Sequence, residues 1–362
     1  MHAFAYWLAF ASLALACNVP VFRYALERWH AEEYEAVVFH RGPLAADELA
    51  WVNALDQSDK EAPANLTLRK VNLALPLDPA TEKLWQQQTN ATLPWLVLRY
   101  APSGANPPVF WAGPLAKDLA TTLVDSPARR EIVQRLTNGQ TAVWVVLEGG
   151  TPLEDETALD LLADELKKQE KAIQLPPSEP DDPQMRSPLP VRVEFSLVRV
   201  ARNNPAEHFL VQLLLAGDAH LAASTRPIAF PVFGRGRILA ALTGKELSKE
   251  IIPEACAFIC GPCSCEIKEL NPGRDLLLAA NWDAVFEGQP PPAPAPSPLI
   301  GMTQFAPATT NPPAAVLATP GAPIPNERSR LTRNLLMVLG FVVVVLAIGS
   351  FALKSRAGKT GR

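Results

Sequence analysis

The sequence predicts an α/β chain: one α/β module, a second α+β module, a proline-rich stalk and a single C-terminal transmembrane helix. Three observations carry that expectation. Strand-like apolar runs alternate with segments of helical period from residue 19 to residue 282. Two proline-rich stretches interrupt them: Pro176–Pro190, with six prolines, and 290–325, with 12 prolines and no charged residue. Residues 335–353, LLMVLGFVVVVLAIGSFAL, run for 19 positions without a charge, long enough as a helix to cross most of a hydrocarbon core about 30 Å thick.

In the first module, 18–173, Phe22, Leu26 and Trp29 recur at helical spacing, and Tyr34–Phe39 is a short apolar strand ended by Gly42-Pro43. Leu49, Val52 and Leu55 mark the next helix. Strands follow at 66–73, 94–100 and 109–111, then helices near 115–124 and 127–137, the second with Ser126 as N-cap and Pro127 in its first turn. Ala142–Leu147 is apolar throughout, as a strand covered on both faces would be, and a helix over 154–172 places Leu159, Leu162 and Leu166 on one face.

Residues 174–190 form the expected linker. In the second module, 191–288, Val191, Val193, Phe195 and Leu197 alternate with polar residues, a helix spans Pro205 to about 215, and 228–233 is a strand ending in Gly234-Arg235-Gly236-Arg237. Two guanidinium groups beside a tight glycine turn could hold an anion, but the third glycine of a dinucleotide fingerprint is missing, with Leu239 in its place. A helix over 248–258 and paired strands at 263–270 and 275–282 complete the module. A strand, helix and strand echo the 107–147 region, with too few identities to establish a repeat.

VVFHRGPL at 37–44 resembles the thioredoxin strand and active-site turn, with Arg41 and Leu44 where the two cysteines would stand. Thr92-Leu93-Pro94 is similar to that family's cis-proline approach, and VFWAGPL at 109–115 to its closing strand and glycine. The resemblance covers about 35–124. It implies a thioredoxin-like scaffold without thiol exchange, because exchange requires an attacking thiolate and neither position supplies one. The chain as a whole also resembles uncharacterised bacterial envelope proteins that share the CNVPVFRYALERW, FGRGR and CSCE segments.

Four of the five cysteines lie within ten residues, Cys256, Cys260, Cys263 and Cys265, and several readings of them compete. The first three match an iron–sulfur spacing, but the large barrel which that chemistry needs does not follow. Cys260-Gly261-Pro262-Cys263 is identical to the thioredoxin tetrapeptide and could be a redox pair, although activation needs a helix to begin at its first cysteine and the following residues read as a strand. Structural disulfides within the cluster are the plainer reading, with three pairings open. Zinc ligation by four such closely spaced thiolates is sterically unfavourable, so no metal and no cofactor is expected.

The two ends set the expected compartment. Residues 3–16 form the apolar region of a signal peptide, 1–16, with Ala14-Leu15-Ala16 before Cys17; the n-region lacks Lys and Arg, which leaves an uncleaved anchor as the alternative. Cleavage would make Cys17 the first mature residue and a candidate for lipidation. Residues 289–334 read as the stalk, 335–353 as the span, and 354–362, with Lys354, Arg356, Lys359 and Arg362 and no acid, as a cytoplasmic tail.

Of the net charge of −4, residues 327–362 carry +6 and 1–326 therefore −10, which argues against nucleic acid as a partner. Hydrophobic residues make up 48% of the chain, enough for real cores and against global disorder. Gly-x-Ser-x-Gly and His-Glu-x-x-His are absent, and Gly358-Lys359 lacks the first glycine of a phosphate loop. The expected protein is a non-catalytic, membrane-tethered extracytoplasmic binding or scaffolding protein. Its expected partners are the bilayer and another envelope protein, met by the Arg41–Leu44 turn. The alternative is a tethered thiol-disulfide oxidoreductase using Cys260 and Cys263.

Overall fold

The computed structural model describes residues 17–100, 107–178, 182–216, 218–263, 267–270 and 273–286. Strand β1 (Cys17–Pro20) runs directly into helix α1 (Val21–Arg28), which buries Val21, Phe22, Ala25 and Leu26. A first sheet follows. β2 (Tyr34–His40) leads through α2 (Ala46–Leu55) to β3 (Leu66–Asn72), then through α3 (Pro79–Gln86) to β4 (Trp95–Tyr100) and β5 (Val109–Pro114), and α4 (Lys117–Thr122) closes the unit. The order is β3-β2-β4-β5, with β2 parallel to β3 and β4 antiparallel to both of its neighbours. Alternation along β2 feeds two cores. Tyr34, Ala36 and Val38 pack with Val52 and Leu55 of α2 and Ala120 of α4, while Val37 and Phe39 pack with Val71, Val97 and Leu84 of α3. Asp78 starts α3 by accepting from the N–H groups of Ala80 and Thr81, each at 3.0 Å.

α5 (Pro127–Thr137) opens the second half, with Ser126 Oγ accepting from Arg129 N at 3.4 Å and Pro127 in the first turn. β6 (Ala142–Leu147) passes through α6 (Pro152–Ala172) to β7 (Phe195–Val200); α7 (His208–Leu215) and α8 (Ala219–Ala223) lead to β8 (Ile228–Phe233). The short β9 (Arg237–Ile238) and β10 (Leu242–Thr243) precede α9 (Ile251–Cys260), β11 (Pro262–Cys263) and α10 (Ile267–Leu270). The order is β10-β8-β6-β7, with β9 also on β8; β6 is parallel to β7 and antiparallel to β8. All six residues of β6 are buried. Val143, Val145 and Leu147 meet Ile132 of α5 and Leu210 and Leu214 of α7, while Ala142, Trp144 and Val146 meet Leu159 and Leu162 of α6 and Ile252 and Ile259 of α9.

The two sheets repeat one layout. In each, the first strand is parallel to the second, which lies at an edge, and antiparallel to the third. The helices after the first and last strands (α2 and α4, α6 and α9) share one face, and the helix after the second strand (α3, α7) covers the other. A proline stands immediately before the third strand, Pro94 before β4 and Pro227 before β8, and the Leu93–Pro94 peptide is cis. The equivalent stretches are 34–122 and 142–260, a different frame from the echo of 107–147 heard in the sequence. Topology repeats here while side-chain identity does not.

The expected boundary at 174–190 is overturned by this arrangement. β6 lies before it and β7 and β8 after it, yet all three share one sheet, because a parallel β6–β7 pair demands a crossover connection and the prolines occupy that connection. Nor is the segment a free tether. Glu27 accepts from the N–H groups of Arg186 (2.5 Å) and Ser187 (3.2 Å), and Arg28 Nη2 donates to Gln184 O at 2.8 Å. Residues 276–278 join the two sheets: Leu277 enters the core of the first sheet, and Leu276 and Leu278 enter that of the second. Asn65 holds this segment by donating to Leu276 O at 3.1 Å and accepting from Leu278 N at 2.9 Å. All described residues fall in one compact unit, Met1–Ala293.

Smaller differences follow the same pattern. The helix expected from residue 19 begins at Val21, because Cys17–Pro20 pairs as a strand; 267–270 is helical where a strand is expected; and 275–282 makes only single bridges, Arg237 to Asp275 and Ala64 to Ala279. The signal, stalk, span and tail, at 1–16, 289–334, 335–353 and 354–362, lie outside the described residues. Among the described residues no helix is long and apolar enough to cross a membrane.

Candidate functional site

Each sheet ends its first strand in a turn that opens a helix. After β2, the Gly42 N–H donates to Asn72 Oδ1 at 3.1 Å, and His40 Nδ1 lies 2.8 Å from Gly42 O. Gly42 sits at φ +69°, a left-handed conformation that a side chain would disfavour. Ala45 N donates to Glu48 Oε2 at 2.8 Å, which fixes the start of α2. Arg41 and Pro43 are left exposed, while Leu44 packs against the first core. Leu115 N donates to Pro94 O at 2.9 Å, anchoring the proline loop that precedes β4.

The equivalent turn after β6 is Glu148-Gly149-Gly150-Thr151. Buried Asp155 reaches back from the first turn of α6 and accepts from Gly149 N (2.7 Å) and Gly150 N (3.1 Å). A Cβ on Gly149 would lie 2.2 Å from Thr225 O, so the turn packs directly on the backbone that leads into Pro227. Beside it lies a cleft of about 440 Å³, lined by Leu153, Thr157, Leu161, Arg226, Pro227 and Leu247 among others. Leu153 at its mouth is 78% exposed. Sequence reasoning missed this cleft. Its available signals were Gly149-Gly150 directly after an apolar strand and a proline directly before the next antiparallel one.

Among the described residues no cysteine lies at either turn. Cys256 and Cys260 stand one turn apart on α9 and are buried in the second core. Burial pushes the Cys260 thiol up to about 12, and Cys256 higher still for the same reason, with Cys260 and Glu170 adding to it. Cys260 is also the last residue of α9, where the carbonyl end of the helix disfavours a thiolate. The tetrapeptide Cys260–Cys263 thus crosses from a helix end into a strand, the reverse of an activated pair. No disulfide links Cys256, Cys260 and Cys263 to one another. Cys263 lies in β11 opposite Cys17 of β1, and Cys265 lies outside the described residues. Among the described residues no group of His, Cys, Asp or Glu is arranged to hold a metal ion.

The two arginines of the turn between β8 and β9, which from sequence could hold an anion, are engaged by groups of the protein itself. Arg235 Nε donates to Leu26 O at 2.8 Å, its Nη2 lies 3.2 Å from Asp283, and its guanidinium is 5.8 Å from the Phe286 ring centre. Arg237 is buried, 2.7 Å from Glu32 and 3.4 Å from Asp275. Both cations fasten α1 and the 275–286 segment to the second sheet. The Gly234 Cβ position lies 2.6 Å from Ala25 Cβ, so α1 rests on the turn itself.

Among known proteins, no family model matches this chain and no curated protein matches it.

Proposed function

We propose that this chain is a membrane-tethered extracytoplasmic binding protein whose folded body is a tandem of two thioredoxin-like units, 34–122 and 142–260, neither of which performs thiol exchange. One observation carries the reading. Both strand-to-helix turns, Arg41-Gly42-Pro43-Leu44 and Gly149-Gly150-Thr151-Pro152, lack sulfur, while the thiols of α9 are buried and protonated. The repeated strand order and the cis Leu93–Pro94 peptide at the head of β4 support the scaffold, and the apolar run 335–353 supports the tether. A redox scaffold stripped of its nucleophiles retains the exposed turn and the cleft beside the proline loop, which are recognition features.

Two measurements on the full chain in detergent test this. A photo-crosslinking residue placed at Arg41 should trap one defined envelope partner that the same residue at exposed Lys83 on α3 does not trap. Disulfide-reduction turnover with dithiothreitol should stay at background. Turnover that disappears in Cys260→Ser would establish the oxidoreductase instead.

A further inference from the structure

The pairing of β1 with β11 places Cys17 directly opposite Cys263, between two segments that are 246 positions apart in the chain. Residues opposed in an antiparallel pair have Cα atoms about 4.5 or 5.5 Å apart, depending on their place in the hydrogen-bond ladder. Both spacings fall inside the window of about 4.4–6.8 Å that a disulfide spans. The register shifts between Cys17 and Pro20, and beyond that irregularity Pro20 pairs with Pro262 and Val21 N donates to Gly261 O at 2.9 Å, which ties the start of α1 to the end of α9. Cys256 and Cys260 are engaged in the core packing of α9 and carry no bond to Cys263.

We propose that Cys17 and Cys263 are joined by a disulfide that closes the start of the folded body onto the end of α9. The two thiols lose two protons and two electrons as the Sγ–Sγ bond forms. A small-molecule or protein disulfide, such as oxidised glutathione, accepts the electrons and leaves as two thiols. The bond also consumes the Cys17 sulfur that a lipid thioether would need, so lipidation and this disulfide exclude each other on one molecule. The inference does not depend on what the body binds.

The full chain, equilibrated with oxidised and reduced glutathione, alkylated and digested with trypsin without reduction, provides the test. The expected product is a linked pair joining the Cys17 peptide to the peptide between Lys249 and Lys268, with the mass of the sum less two hydrogens, lost on reduction. That second peptide holds four cysteines, so variants assign the partner. Cys265→Ser should keep the link, and Cys263→Ser should release Cys17 to alkylation. A Cys17 that is alkylated or acylated in the unsubstituted chain overturns the proposal, as does a link that survives Cys263→Ser.

Discussion

Glu27→Gln is the sharpest probe of how the proline-rich crossover is held. The Glu27 side chain is fully buried, 2.7 Å from Arg23 Nε, and it accepts from Arg186 N and Ser187 N, while Arg23 also donates to Ser187 O at 2.5 Å. Glutamine keeps the volume but removes the charge, and its amide nitrogen must face an N–H donor or the guanidinium. Arg23, 3% exposed in its side chain, is then left buried without its counter-ion. Removing one partner of a buried pair costs about 3–5 kcal/mol, against a total of about 5–15 kcal/mol for a folded domain.

With an m-value of about 3 kcal/mol per M, the urea midpoint should fall by about 1–1.7 M. Limited proteolysis should at the same time open a new cut between 182 and 190, because the same carboxylate secures that backbone. Arg23→Met combined with Glu27→Gln should recover a good part of the loss, since no unpaired charge then remains. A midpoint within about 0.2 M of the parent, with unchanged cleavage, would refute the view that this segment is stapled into the fold.

Other predictions follow from the same structure. Burial raises the Asp275 pKa, so the folded state binds its proton more tightly than the unfolded one; this contribution is favourable at low pH and is lost as pH rises from about 3.9 through the raised folded value. Asp275→Asn should flatten that descending limb in a stability-against-pH profile, and an unaltered limb would assign it elsewhere. Cys260, with its thiol pushed up to about 12, should react with iodoacetamide at pH 7 at least about 10³-fold more slowly than a free thiol near 8.5, and unfolding should abolish the difference. Gly149→Ala drives a Cβ into Thr225 O at 2.2 Å and should cost about 1–3 kcal/mol in thermal or urea unfolding; Ala at Gly244, which has open space around it, carries only the penalty of φ +55°, about 1–2 kcal/mol.

Local order was legible in the residues alone. The apolar run of β6, the cap and proline that start α5, the alternation of β2 and the proline at the head of β4 all report backbone preferences and one- or two-sided burial that neighbouring residues determine by themselves. That the turn at Arg41–Leu44 carries no thiol was legible too, since it is a matter of composition. What only the tertiary structure decided is which strands share a sheet. Pairing of β6 with β7 across the prolines, the second copy of the layout, the cleft at Pro227 and the meeting of Cys17 with Cys263 all depend on hydrogen bonds between residues tens to hundreds of positions apart. Arg235 and Arg237 show the same limit: a guanidinium in a glycine turn reads as an anion site until the fold brings Asp283, Glu32 and Asp275 to it. Local propensity fixes the period of a segment, but its partner is chosen by the burial of whole faces, and that information is spread over the entire chain.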